Sequence, residues 1–365
     1  MTTTLTQTKI QKHNFSAGPS ILPKEVLEKA AQAVIELDGI GLSLIEISHR
    51  GKEFVAIMEK ARELVKELLG VPQHYQVLYL QGGASLGFYI SPMNFMKDGG
   101  KAAYVKTGEW AGKAAKEAQL VGITEVIASS EDKNFNYIPK EYSAPNDADY
   151  LHITSNNTIF GTQMKTFPES SVPVICDMSS DIFSRKIDAS KFAMIYAGAQ
   201  KNIGPAGTTI YIVNPDLLGK TGRKIPSMLD LQLHIKNDSM FNTPPVFSIY
   251  CCMLMLQWLK DLGGVGEMEK INRRKAGLLY NEIDANTLFK GTTAEEDRSD
   301  MNVTFVLNDE KLKDDFDKMW KEAGISGLPG HRSVGGYRAS LYNALPLESV
   351  QVLVDVMKEL ALKKG

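Results

Sequence analysis

Between residues 76 and 213 the chain keeps returning to one pattern: a short apolar run, then a helical or small-residue stretch. The apolar runs fall at 76–80, 102–106, 123–128, 150–154, 173–176, 193–197 and 208–213. Runs so short and so continuously apolar read as strands buried on both faces. Helical periodicity follows 80 as far as Met96 and fills 110–121. Parallel neighbours need such crossovers, because a tight turn cannot return the chain to the same end of a sheet. The pattern therefore predicts an open, mostly parallel seven-stranded α/β sheet.

Two helices are expected before the sheet, at 23–37 and 54–69. In the second, Phe54, Ile57, Met58, Ala61, Leu64, Val65 and Leu68 recur at helical spacing, and Gly70 ends the run. After about residue 260 the texture changes. A hinge at 261–264 leads to a helix at 265–283, a strand at 302–307, a helix at 310–323, a short strand at 338–340 and a helix at 347–362. That is a smaller α+β unit. A length of 365 residues suits two or three domains. The expected division is a large domain over 16–260 and a small one over 261–365 joined by residues 1–15.

Composition narrows the function. Lys+Arg 41 against Asp+Glu 43 gives a net charge of -2, which speaks against a broad nucleic-acid surface but permits a local anion pocket. Of three cysteines, Cys251 and Cys252 are adjacent and Cys176 stands alone, so neither a disulfide framework nor a metal spacing is present. Residues 1–12 are polar and lack a signal-peptide pattern. The best apolar window, 247–262, is too short to span a bilayer. A cytoplasmic protein with no membrane or nucleic-acid partner is expected.

Several strand ends carry polar residues. Lys201 follows the run 193–197 within AGAQKNIGPAG, and the crevice beyond strand ends is where α/β sheets bind ligands. Read alone, it is equally a surface lysine in a Gly/Pro-rich loop. Asp177 ends the preceding strand. It is either a helix cap or the partner of a buried cation. Together, a lysine and an acid at successive strand ends suit pyridoxal phosphate: an amine to join the aldehyde and a carboxylate to keep the ring nitrogen protonated. Gln81-Gly82-Gly83-Ala84-Ser85 joins a strand to a helix and could bring backbone N–H groups to an anion, or be a plain turn. Trp110 could stack on a planar ring or anchor the core. Thr158 could bond a ring oxygen or cap a turn. Arg50, Arg332 and Arg338, beside His49 and His331, are candidates for clamping carboxylate or phosphate, or for ordinary salt bridges.

Taken together, the segments resemble the phosphoserine aminotransferase family, class V enzymes of fold-type I that depend on pyridoxal phosphate. The resemblance starts at Asn14-Phe15-Ser16-Ala17-Gly18-Pro19. It rests further on SHRGKEF (48–54), TGEWAGKA (107–114), DMSSDIFSR (177–185), AGAQKNIGPAG (197–207), NTPPVFSIY (242–250) and GHRSVGGYRAS (330–340). One departure stands out: Asn157 and Phe160 occupy positions where many relatives have Glu and His.

The resemblance implies a role for each matching residue. Lys201 would hold the cofactor as a Schiff base and Asp177 would face its ring nitrogen. Trp110 would stack on the ring and Thr158 would bond its 3'-oxygen. Ala84, Ser85 and Gln200 would cradle the phosphate. Asn242 and Thr243 would reach it from a neighbouring subunit, which makes the protein a homodimer with shared sites. Arg338 would clamp the substrate α-carboxylate. His49, Arg50, His331 and Arg332 would surround the substrate phosphate, with Arg50 crossing the dimer. The implied reaction moves an amino group reversibly between L-glutamate and 3-phosphohydroxypyruvate, giving 2-oxoglutarate and O-phospho-L-serine. A second pair, 4-phosphohydroxy-threonine and its oxoacid, would link the enzyme to pyridoxine as well as serine biosynthesis.

Three rivals are distinguishable. A cysteine desulfurase needs a presented cysteine, and Cys176, Cys251 and Cys252 all lie in apolar segments. Alanine–glyoxylate aminotransfer needs one anion clamp, which leaves the His/Arg group without use. A non-catalytic Rossmann-like binding protein would not be yellow.

Overall fold

The computed structural model describes residues 12–364, so the expectations for residues 1–11 lie outside the described residues. The central sheet contains β1 (Gln76–Leu80), β2 (Lys101–Lys106), β3 (Ile123–Ser129), β4 (Tyr150–Thr154), β5 (Val174–Asp177), β6 (Met194–Gly198) and β7 (Thr209–Val213). Their order across the sheet is β1-β7-β6-β5-β4-β2-β3. From β6 through β3 every pairing is parallel. Only β7 runs against its neighbours, returning beside β6 with Thr209 opposite Gly198 and lying antiparallel to β1.

Helices cover both faces. In chain order they are α1 (Lys24–Ile35), α2 (Lys52–Leu69), α3 (Gly83–Phe95), α4 (Glu109–Ala118), the short α5 (Leu231–Lys236), α6 (Val246–Asp261), α7 (Gly264–Ala285), α8 (Lys313–Glu322) and α9 (Leu347–Lys364). Side chains alternate across a strand, so successive residues enter different cores. Val77, Tyr79, Ile195 and Ala197 pack with residues of α2 and α6. Leu78, Leu80, Met194 and Tyr196 pack with residues of α3 and α4. This double burial explains why most of the strands read as continuous apolar runs; the edge strand β3 departs from the expectation, with none of its residues buried and Ile123 and Val126 exposed. Helix α2 stops where Gly70 turns left-handed at φ 60, and Val71 N–H donates back to Lys66 O at 3.0 Å.

A second sheet, β8 (Phe289–Gly291), β9 (Asn302–Leu307) and β10 (Tyr337–Ser340), is antiparallel in the order β8-β9-β10. Phe289, Phe305, Phe316 and Tyr337 form an aromatic core there, closed by α7, α8 and α9. Sequence periodicity did not reveal β8, because it is three residues long and exposes Lys290. The helix expected over 310–323 is a 3-10 turn, Glu310–Leu312, followed by α8. The expected hinge is a tight turn in which Gly263 (φ 112) and Gly264 (φ 77) are both left-handed. At the start of the described chain, His13–Asn14 pairs parallel with Ile325–Ser326, and Phe15 is fully buried in the second core. That pairing carries Ala17 and Gly18 back over the first sheet. Among the described residues, no helix is long and apolar enough to cross a membrane.

Candidate active site

The C-terminal ends of β4, β5 and β6 lie side by side in parallel register. Their loops open into one cavity of about 330 Å³. Lys201 stands there, on the loop that reverses the chain between β6 and β7. Its Nζ donates to Thr158 Oγ1 at 2.8 Å, and its carbonyl accepts from Ser20 Oγ at 2.5 Å. Burial lowers the Lys201 pKa to about 8; Asp177 opposes the shift and Arg338 adds to it. At pH 7 that raises the neutral fraction from about one part in 3,000 to about one in ten. A neutral amine is what nucleophilic attack or proton abstraction requires.

Asp177 ends β5 and is 5% exposed. Ser179 donates to Oδ1 twice, from its backbone N–H at 2.9 Å and its hydroxyl at 2.6 Å. The second carboxylate oxygen takes no hydrogen bond from the described residues, and Asp177 lines the cavity. Burial pushes the Asp177 pKa up, while the Ser179 donors and Lys201 pull it down. A buried acid with one oxygen held and one free is arranged to receive a cationic N–H from a ligand.

Opposite, β1 leads through Gln81 into α3. Gly82 (φ 99) and Gly83 (φ 65) are left-handed, and a Cβ on Gly82 would run into the Leu86 side chain. No side chain caps the helix. Its first N–H groups therefore reach the cavity beside Gly83, Ala84 and Ser85, where they favour an anion. Gln200 also lines the cavity. Trp110 opens α4 and forms another wall, with Lys113 Nζ 4.6 Å from its ring centroid.

Arg338 enters from β10. Burial lowers its pKa, its Nε is buried without a partner, and no carboxylate pairs with it among the described residues. An unpaired guanidinium in a cavity is a binding site for a carboxylate. Its strand is fixed to the main sheet by a buried polar seam. Asn156 Nδ2 donates to Asn302 Oδ1 at 2.8 Å, and Asn302 Nδ2 donates to Ser340 Oγ at 3.0 Å. Tyr342 OH donates to Ala17 O at 2.8 Å.

The structure thus gathers Ala84, Ser85, Trp110, Thr158, Asp177, Gln200, Lys201, His331 and Arg338 around one space. The other expected residues do not line it. Arg332 is exposed on the loop beside His331, and Arg50 is exposed ahead of α2. His49 has a buried Nε2 with no partner. Asn242 and Thr243 sit outside the cavity against Gln81: Asn242 Nδ2 donates to Gln81 Oε1 at 3.4 Å, and Gln81 Nε2 donates to Thr243 O at 2.9 Å. Residue-by-residue reasoning missed Gly18, Asn156, Ser179 and Ser180. A Cβ on Gly18 would lie 3.3 Å from Lys201 Cγ. The available signal for Gly18 was a glycine in a segment far from any strand end. For Ser179 it was a hydroxyl two residues after an acid, the spacing of a local side-chain turn.

The family model for aminotransferase class-V matches residues 12–353. Phosphoserine aminotransferase from Flavobacterium psychrophilum is 67% identical over 97% of this chain and 100% of its own. The chain belongs to the phosphoserine aminotransferase family of class V. Among solved structures, the phosphoserine aminotransferase from Bacillus circulans subsp. alkalophilus is 47% identical, with a TM-score of 0.94 over 97% of this chain and 99% of its own. The PLP-bound phosphoserine aminotransferase from Trichomonas vaginalis is 35% identical, with a TM-score of 0.90 over 95% of this chain and 100% of its own. The fold-type I architecture expected from the sequence is therefore that of the family.

Proposed function

We propose that this phosphoserine aminotransferase family member is a pyridoxal phosphate-dependent transaminase that interconverts L-glutamate and 3-phosphohydroxypyruvate with 2-oxoglutarate and O-phospho-L-serine. The observation that carries the reading is the meeting of Lys201, Asp177 and Arg338 in one cavity of a class V aminotransferase chain. The residues suit the cofactor. The uncapped start of α3, with Ala84, Ser85 and Gln200, would take its phosphate. The free oxygen of Asp177 would hold the ring-nitrogen proton, Thr158 would bond the 3'-oxygen, and Trp110 would cover one ring face. When bound, the cofactor supplies an aldehyde that exchanges amines and a ring that withdraws electrons.

The chain's own groups do the rest. Lys201 Nζ would take the proton from the substrate Cα and return it on the other side of the exchange. Arg338 would hold the α-carboxylate so that this proton faces Lys201. His49, Arg50, His331 and Arg332 would hold the distal phosphate or γ-carboxylate, which explains how glutamate and a phosphorylated oxoacid share one pocket. Because His49, Arg50, Asn242 and Thr243 lie outside the cavity of their own chain, the reading includes a homodimer in which they complete the partner's site. It also includes use of the 4-phosphohydroxy-threonine pair, which presents the same two anionic ends. The large and small domains, divided near residue 260, belong to the same reading. A separate core of Phe15 and residues from Ala276 to Leu360 supports that division, although Val265 and Met268 at the start of α7 still pack in the core of the main sheet.

A desulfurase reading has no support, since all three cysteines are buried and burial pushes the Cys251 thiol up to about 11. The deciding experiment is a half-reaction. O-phospho-L-serine should discharge the visible cofactor band far faster than L-alanine does. Equal rates would overturn the assignment of the distal anion site.

A further inference from the structure

Residues 330–336 (GHRSVGG) form a loop ahead of β10 whose side chains are nearly all exposed. Val334 is its one apolar side chain, and it is half-buried. It packs on a small island of Phe135, Ile159 and Phe160 that also touches Trp110 and is separate from the main cores. The island is firmly seated. The Phe135 and Phe160 rings are 4.8 Å apart. Phe160 O accepts from Thr293 Oγ1 at 2.8 Å and from Thr304 Oγ1 at 3.2 Å, which fixes it to the β9 side. Thus Phe160, one of the two positions that depart from the family pattern, is part of the surface on which Val334 rests.

The loop is also braced from within. Gly330 N–H donates to Gly336 O at 2.8 Å, and the N–H groups of Val334 and Gly335 both donate to His331 O at 2.9 Å. Ser333 N–H donates to His331 Nδ1 at 3.3 Å. Nδ1 is therefore an acceptor, and the ring proton lies on Nε2. His331 borders the cavity that holds Lys201 and Arg338. The loop thus presents one imidazole N–H donor and, next to it, the Arg332 cation. Val334 is the one apolar side chain by which the loop packs on the body of the protein, the three glycines offering none.

We propose that Val334 is a positioning residue for substrate choice. Seated on Phe135 and Phe160, it holds the loop so that His331 and Arg332 meet the distal anionic group, and it sets the preference for doubly anionic over singly anionic amino acids. The inference rests on the reading of the distal anion site given under Proposed function.

The test compares the holoenzyme with Val334→Ser and Val334→Ile, following single-turnover discharge of the cofactor band by O-phospho-L-serine and by L-serine. In Val334→Ser the ratio of the two specificity constants should fall roughly tenfold, through weaker binding of O-phospho-L-serine, with its maximal rate and the reaction of L-serine unchanged. Val334→Ile should keep the wild-type ratio, because a space of about 120 Å³ beside Val334 and Phe160 takes the extra methylene. An unchanged ratio in Val334→Ser, or an equal loss for both substrates, overturns the proposal. If the wild-type enzyme itself fails to prefer O-phospho-L-serine, the reading of the site falls first and the role of Val334 with it.

Discussion

The floor and the rim of the cavity are built differently. The floor residues Asp177 and Thr158 are buried at or just beyond strand ends, and Lys201 follows β6 on the loop to β7. Each is fixed by the ladder beneath it and by a short hydrogen bond, such as Lys201 Nζ to Thr158 Oγ1 at 2.8 Å. Of the rim, His331 borders the cavity, and by our reading the exposed loop residues Arg332 and, from a second subunit, Arg50 complete it. By our reading, chemistry that needs fixed distances sits on the sheet, whereas recognition of a substrate's far end is left to loops and to a second subunit.

This contrast predicts a graded series of losses. Lys201→Ala should abolish proton transfer and lower turnover by about 10³-fold or more, measured at steady state with substrate in excess. Asp177→Asn should lower turnover by about 10²-fold, because the ring-nitrogen proton loses a fixed anionic partner, while the melting temperature changes little. Arg338→Gln should lower kcat/KM for O-phospho-L-serine and L-glutamate alike, by about 10²-fold. A floor variant that altered only one of the two substrates would break the distinction between floor and rim.

The sheet was legible because double burial leaves a strong mark. A strand such as Met194–Gly198, with every residue buried, is written almost wholly in small or apolar residues. The pairing of Lys201 with Asp177 was legible for the same reason, since a charged residue at the end of such a run is conspicuous. The antiparallel direction of β7 was not legible, because its apolar run looks like its neighbours' and only the short loop from β6 betrays it. Arg338 stood out on an apolar strand, yet the seam that aims it, Asn156 to Asn302 to Ser340, joins residues 146 and 38 positions apart. No local pattern encodes such contacts. The departure at Asn157 and Phe160 was visible as sequence but silent as structure. Asn157 Nδ2 donates to Thr162 Oγ1 at 3.0 Å within its own turn, and Phe160 supports Val334.

The rim gives a weaker and more specific prediction. Arg50→Ala should cost about tenfold in kcat/KM for O-phospho-L-serine and little for L-serine. Were Arg50 to serve its own chain, a mixture of Arg50→Ala and Lys201→Ala subunits would hold no site better than that of the weakened parent. If Arg50 serves the partner, a mixed dimer contains one intact site and one doubly damaged one. Random pairing in a symmetric dimer then restores about a quarter of the wild-type activity above the contribution of the parents. Absence of that gain would overturn the shared site.

The smallest effect concerns Lys201 alone and needs no substrate. Burial holds its pKa near 8 in the chain without cofactor, against 10.5 for an ordinary lysine. A lysine is unreactive while protonated, so acetylation of Lys201 by acetic anhydride should fall about tenfold per pH unit below 8 and level off above it. The lysine of an added unstructured reference peptide, with its ordinary pKa of about 10.4, should go on gaining reactivity through pH 10. Peptide mass spectrometry of the cofactor-free protein reads both curves in one sample. Asp177 works against burial, because its negative charge favours the ammonium form. Asp177→Asn should therefore move the Lys201 midpoint to lower pH. A midpoint at or above 10 in the unaltered chain would mean that water reaches the floor as freely as the rim, and the contrast between the two would lose its physical basis.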